Sequence, residues 1–148
     1  MNLQNLVSLA LEEDIGNGDI TTESCIAHDA NSVGWIEARE ELVVSGLGAA
    51  CEVFRQLGVK FEALVDDGAL VVAKQHIAKI SGPSKAILSG ERLALNFLMK
   101  LSGIATNTAI SVRSAEGLVR VVDTRKTTPL LRDLEKAAVR HGGGFNHR

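Results

Sequence analysis

Val121-Val122-Asp123-Thr124-Arg125-Lys126-Thr127-Thr128-Pro129 is followed by a helix-like run and then by Gly142-Gly143-Gly144-Phe145-Asn146-His147-Arg148. Leu118 to Val122 is a short apolar run interrupted only by Arg120, and it reads as a strand. Leu130, Leu134, Ala137, Ala138 and His141 lie at i, i+4, i+7, i+8 and i+11, which is helical spacing. Pro129 sits near the first turn of that helix and Gly142 at its stop. Strand, loop and helix make one βα unit. A parallel strand needs neighbours and helical cover, so one such unit is not a domain. The sequence therefore predicts a boundary near residues 105–117, with the first piece of a second domain after it.

Upstream, the pattern is α+β. Leu3, Leu6, Val7, Ala10 and Leu11 mark an amphipathic first helix that ends before Gly16 and Gly18. Asp19-Ile20-Thr21-Thr22 is an ordered-loop candidate. Residues 33–39 and 42–45 read as strands, and 47–57 as a helix stopped by Gly58. Val59, Phe61, Ala63 and Val65 alternate with polar Lys60 and Glu62, a half-buried strand. Asp67-Gly68 suggests a hairpin turn back into a strand over 69–73. Two more short strands are predicted at 76–81 and 84–88. Ser89 is a candidate cap for a helix whose buried face holds Leu93, Phe97, Leu98 and Leu101. Ser102-Gly103 is expected to interrupt it before a second helix over 104–115.

Bulk properties narrow the function. The 148 residues are enough for one domain with a sizeable core, and 45% hydrophobic with 23% charged is ordinary for a globular protein. No apolar run is long enough to span a bilayer, no signal peptide is readable, and Cys25 and Cys51 have no metal spacing; a cytoplasmic protein is expected. The formal net charge of −2 argues against nucleic acid as a partner. Its distribution is uneven. Residues 1–122 hold 10 Lys and Arg against 15 Asp and Glu, whereas residues 123–148 hold 6 against 3. A small positive site of this kind suits carboxylates or phosphates.

Arg125, Lys126, His147 and Arg148 are the candidate anion-binding groups. Arg125 and Lys126 leave the C-terminal end of the predicted strand, where α/β folds place their ligands. Arg presents a fork that fits a carboxylate, and Lys a point charge that suits phosphate. A solvated surface turn is the competing reading. The triple glycine is either a flexible helix exit or a backbone that must pass close to a ligand or neighbour.

Five segments together resemble the quinolinate phosphoribosyltransferase family, the carboxylating nicotinate-nucleotide pyrophosphorylases. They are Glu13-Asp-Ile-Gly-Asn-Gly-Asp-Ile-Thr-Thr22, Gly90-Glu-Arg-Leu-Ala-Leu-Asn-Phe-Leu-Met-Lys-Leu-Ser-Gly-Ile-Ala-Thr106, Asp123 to Pro129, Leu134-Glu-Lys-Ala-Ala-Val139, and Gly142 to Arg148. The resemblance covers the whole chain in the family's order and roughly the first half of a family member. It implies an N-terminal α/β sandwich domain with an antiparallel sheet over 1–105 and, over 106–148, the first βα unit of an incomplete α/β barrel. It further implies a homodimer paired head to tail. The implied reaction is phosphoribosyl transfer from phosphoribosyl pyrophosphate to quinolinate with decarboxylation. The products are nicotinate mononucleotide, carbon dioxide and pyrophosphate, a step of NAD biosynthesis.

By the same resemblance, Arg125 binds a quinolinate carboxylate with Thr124 in support. Lys126 faces both substrates as the catalytic lysine, and His147 and Arg148 also face quinolinate. Arg92 reaches into the partner subunit's site. Magnesium is implied, with its ligands in the part of the family that this chain does not match. His28, His76 and His141 match no site position and read as surface or helix-end residues; Asp14, Asp19, Thr21 and Thr22 read as turn formers. Leu130 departs from the pattern, which usually has Gly after the proline. A single βα unit cannot close a barrel, so residues 118–148 are expected to be poorly ordered or aggregation-prone unless completed, and this half alone to be inactive. Competing readings are a split-enzyme or dimerisation fragment without catalysis, and the related pyrophosphorylase-like protein linked to molybdate transport.

Overall fold

The computed structural model describes residues 2–16, 26, 27 and 29–147. Helix α1 (Leu3–Ile15) starts where the Asn2 side chain accepts a hydrogen bond from Asn5 N–H, and it ends at Gly16 in a positive-φ conformation. Strand β1 (Asn31–Glu37), β2 (Leu42–Val43), helix α2 (Leu47–Gln56), β3 (Lys60–Ala63), β4 (Leu70–Val71) and β5 (His76–Pro83) follow. Helix α3 (Ser84–Ser114) and helix α4 (Arg132–His141) complete the order. The Asp19–Thr22 loop and His28 lie outside the described residues.

The sheets are antiparallel. One has the order β1-β5-β3; the other is the pair β2-β4. Helices α1, α2 and α3 pack together over the three-stranded sheet. Val7 and Leu11 of α1, Val53 and Phe54 of α2, Ile77, Ala78 and Ile80 of β5, and Ala94, Phe97 and Leu98 of α3 share one core. Each large aliphatic or aromatic member contributes about 1.5–3 kcal/mol through burial. This is the α+β architecture that the alternating and helical periodicities predict.

Four local predictions fail, each for a visible reason. The hairpin expected between 59–65 and 69–73 does not form: β3 pairs with β5, and β4 pairs with β2. The Asp67-Gly68 turn is recruited elsewhere. Asp67 Oδ1 accepts from Leu47 N–H at the start of α2 (3.1 Å), and Gly68 N–H donates to Val44 O (2.7 Å). Residues 84–88 are helix rather than strand, because Ile87 extends the apolar stripe of Gly90, Ala94, Phe97 and Leu101 one turn upstream. Pro83 therefore occupies the N-cap position, not Ser89, and it offers no side-chain cap.

Ser102-Gly103 does not interrupt the helix, and α3 runs unbroken for 31 residues. Ser102 is satisfied inside it. Its hydroxyl accepts from Ser45 N–H (3.0 Å) and donates to Ser45 O (3.2 Å), both buried. Lastly, residues 118–122 are not a strand. Glu116 and Gly117 take positive φ, the chain turns, and Leu118 is left 85% exposed. Only Val122 makes a β-bridge, a parallel one to Phe145.

Glu52 ties the first two helices. Its carboxylate accepts from Arg55 Nε (2.6 Å) and Nη2 (2.7 Å) and from Gln56 Nε2 (2.8 Å), which also donates to Gln4 O of α1 (2.9 Å). The Arg55 hydrogen bonds, then that of Gln56, hold the carboxyl at about 2 against an ordinary 4.5. A depressed carboxylate pKa contributes stability above the unfolded value that is lost as pH falls through the folded one. Thermal melts should therefore show Glu52→Gln clearly less stable than the unaltered chain at pH 6. That gap should narrow between pH 4.5 and about 2. A gap that stays constant across this window would contradict the assignment.

Candidate functional site

The C-terminal segment folds back on α3 through its glycines. A Cβ on Gly142 would stand 2.3 Å from Ala105 O and 2.7 Å from Thr108 Cβ; one on Gly144 would stand 2.8 Å from Thr108 Cγ2. Gly143 takes φ +82° between them. Of the two readings of the triple glycine, close passage against a neighbour is the one realised, and the neighbour is α3. His141 joins this contact: its Nδ1 lies 2.8 Å from the buried Ser45 Oγ. The imidazole is a docking group at a helix end.

Once past the glycines, the chain runs beside the segment that precedes α4. Phe145 N–H donates to Val121 O and Asp123 N–H to Phe145 O, both at 2.9 Å. These are parallel-ladder bonds. The chain therefore holds edge, helix and a second parallel edge, rather than the single βα unit expected. Two parallel edges have their C-terminal ends on the same side. Thr124, Arg125 and Lys126 leave the first edge there, and His147 lies at the same end of the second. Arg148 lies outside the described residues.

Arg125 and Lys126 are exposed, and no carboxylate pairs with either side chain among the described residues. Thr124 Oγ1 accepts from Lys126 N–H (3.2 Å), which shapes the loop. Arg132 Nε reaches Thr127 Oγ1 at 3.2 Å. The two carboxylates packed into this region are already neutralised. Asp123 Oδ2 pairs with Lys136 Nζ at 2.7 Å, the side chains being 6% and 18% exposed. Glu135 Oε1 pairs with Lys100 Nζ of α3 at 3.2 Å, and its Oε2 accepts from Thr128 N–H at 3.1 Å.

Burial opposes ionisation of Asp123, but the Lys136 hydrogen bond, the His147 N–H and the charges of both residues outweigh it. The carboxyl is held below its ordinary range. For Glu135, burial is likewise outweighed by hydrogen bonds from Thr128 and by Lys100, again lowering the pKa. The sequence reading missed Asp123, Lys136, Glu135 and Lys100. The helical stripe that located α4 selects apolar positions, and it carries no signal for charged groups that pair across elements.

Arg92 stands apart. It is exposed on α3 and forms an ion pair with Asp14 Oδ1 at 3.2 Å. It lies 13 residues before Ala105, about 20 Å along the helix. Asp14, read as a turn former, is its partner. No three His, Cys, Asp or Glu side chains converge among the described residues. Asp123 and Glu135 are both engaged by lysines, so these residues do not fit a magnesium site.

The model of the quinolinate phosphoribosyl transferase N-terminal domain matches residues 19–102, and that of the C-terminal domain matches residues 104–148. The chain belongs to the quinolinate phosphoribosyltransferase family. A Bacillus subtilis relative, named as a probable carboxylating nicotinate-nucleotide pyrophosphorylase, is 41% identical over 151 residues, covering 100% of this chain and 52% of the relative. Among solved structures, NadC from Streptococcus pyogenes superposes with a TM-score of 0.94 at 38% identity, covering 99% of this chain and 53% of that one. The nicotinate-nucleotide pyrophosphorylase from Francisella tularensis gives 0.92 at 40% identity, with 99% and 53% coverage. The chain spans about half the length of the curated relatives it matches.

The family's usual glycine at position 130 now has a structural reason. Leu131 N–H donates to Thr128 O (3.1 Å), closing a turn with Pro129 second and Leu130 third at φ +68°. That is the position where a type II turn demands a left-handed residue. Leu130 neither packs nor blocks the neighbouring backbone: it is 72% exposed and strained.

Two stability outcomes follow. Leu130→Gly should stabilise the chain by about 1 kcal/mol, read by denaturant melt, because it removes a left-handed side chain. Gly142→Ala should cost about 3 kcal/mol or more, because the new methyl overlaps a helix carbonyl that cannot retreat. A neutral Gly142→Ala melt would show that α4 does not dock on α3 as described.

Proposed function

We propose that this chain supplies quinolinate recognition for phosphoribosyl transfer from phosphoribosyl pyrophosphate to quinolinate with decarboxylation. The products are nicotinate mononucleotide, carbon dioxide and pyrophosphate. The observation that carries the reading is a pair of exposed cations, Arg125 and Lys126, left unneutralised at the shared end of two parallel edges, in a chain of this family. Quinolinate is a dianion. A planar guanidinium at Arg125 can hold one carboxylate by two parallel hydrogen bonds, with Thr124 setting the loop around it. Lys126, one residue on, puts a second positive charge beside the reacting centre. His147 approaches from the second edge, and Arg148 follows it.

Bond breaking at the ribosyl carbon develops positive charge on the sugar and negative charge on departing pyrophosphate. Fixed cations stabilise the anionic side of that separation at no reorganisation cost. Loss of the carboxylate as carbon dioxide then leaves an electron pair on the ring carbon, stabilised by the positively charged ring nitrogen beside it, and a proton from water completes the nicotinate ring. Lys126 is the catalytic residue in this scheme. Arg92, exposed on α3 about 20 Å before the Ala105 contact, fits service to a second copy of the chain in a homodimer. A cytoplasmic biosynthetic role is part of this proposal; among the described residues no helix is long and apolar enough to cross a membrane.

Calorimetric titration of the chain with quinolinate at low salt should show binding that weakens as salt rises. Arg125→Ala should weaken it about tenfold or more, the loss expected for a charge-assisted pair. No heat of binding from the unaltered chain, or an Arg125→Ala variant that binds equally well, would overturn the reading.

A further inference from the structure

The parallel ladder between the two edges stops abruptly, and a side chain stops it. Two bonds are regular: Phe145 N–H to Val121 O, and Asp123 N–H to Phe145 O. In a parallel pair the next would run from His147 N–H to the main-chain carbonyl of Asp123. His147 N–H donates instead to the side chain of that same residue, Asp123 Oδ1, at 2.6 Å. The carboxylate has replaced its own carbonyl as acceptor. Among the described residues no bond from Arg125 N–H to His147 O continues the pairing.

The carboxylate is itself held in place. Oδ2 takes the Lys136 ammonium at 2.7 Å. With its amide oriented to satisfy both ends, Asn146 also donates to Oδ2 (3.0 Å) and to Lys136 O (2.9 Å). All four acceptor directions of a carboxylate cannot be turned toward a ligand when three donors of the protein already occupy them. At 6% exposure the Asp123 side chain is also too deep to meet one. A buried anion beside a site for anions would be self-defeating unless neutralised, and Lys136 neutralises it.

We propose that Asp123 is a positioning residue: its carboxylate ends the parallel ladder and fixes where His147 leaves the second edge, opening the gap in which an anionic ligand meets Arg125 and Lys126. The ligand half of this statement rests on the proposed function; the ladder half does not. The bond is charge-assisted, so it is stronger than the carbonyl bond it replaces. Lys136 serves it by keeping the carboxylate ionised and aimed.

The test is nuclear magnetic resonance on the full chain, without ligand and then with quinolinate. Without ligand, the His147 amide proton should lie well downfield of its neighbours and exchange slowly. In Asp123→Asn its exchange should rise about tenfold or more, as expected for loss of a bond to a charged acceptor. The amides of Ile77 to Ile80 in β5, which report the core, should not change. Lys136→Met keeps the acceptor, so it should keep most of the His147 protection. With quinolinate, Asp123→Asn should weaken binding about tenfold. Several results would overturn the proposal: a random-coil His147 shift in the unaltered chain, unchanged exchange in Asp123→Asn, or equal losses in both variants. Lost protection with undiminished quinolinate affinity would also overturn the positioning role. Failure of the unaltered chain to bind quinolinate would sink the functional reading, and the ligand-free measurements would still decide the role of the carboxylate in the ladder.

Discussion

Everything after residue 114 depends on how closely α4 and the glycines behind it approach α3 between Ala105 and Thr108. Ala105 and Thr108 are buried there, and the space left beside them admits backbone but no side chain. That approach fixes the position of Gly144, hence the start of the second parallel edge, hence which backbone Val121 to Asp123 can pair with. It also brings Glu135 within reach of Lys100 and His141 within reach of Ser45. The first 83 residues serve the same contact indirectly. They bury the same stripe of α3 nearer its start, at Ala94, Phe97, Leu98 and Leu101, and Ser45 satisfies Ser102, so that one unbroken helix carries both the core and the platform for the site.

Charge is distributed by partner rather than by sign. The C-terminal segment has twice as many basic as acidic residues, yet most of its charges are engaged within the fold. Lys136 is used against Asp123, Arg132 against Thr127, and Arg140 donates to the Asn146 side-chain oxygen when that amide is oriented to satisfy both its ends. Among the described residues, what remains available to a ligand is small and local: Arg125 and Lys126. Pairing the buried carboxylates with dedicated lysines is what leaves those two cations uncompensated.

The sequence was legible wherever one face of an element is buried. The stripes of α1 and α2, with Leu134 and Ala138 of α4 and Val59 and Phe61 at β3, are direct consequences of burial, whereas Leu130 and Ala63 fit the periodicity yet stay exposed; each helix stop at Gly16, Gly58 or Gly142 is where the chain turns. The errors share a cause: tertiary partners reassigned local signals. Asp67-Gly68 looks like a hairpin turn until Leu47 N–H claims the carboxylate. Ser102 looks like a helix breaker until Ser45 satisfies both its donor and its acceptor. The 118–122 run has strand composition, but only Val122 finds a partner strand. Of the candidate site, Arg125, Lys126 and His147 were singled out through motif and charge. The carboxylates that arrange them were not, because an aspartate among basic residues looks like dilution of the charge and not like its scaffold.

The Ser45 to His141 hydrogen bond joins residues 96 apart in sequence, and the two parallel edges cannot meet until the helix between them has formed and docked. Loop-closure entropy must be met before such remote contacts return anything. Assembly is therefore ordered in time. During synthesis from the N-terminus α3 is made before Arg125 and Lys126, so these cations stay unarranged until α4 and the second edge have followed and docked on it.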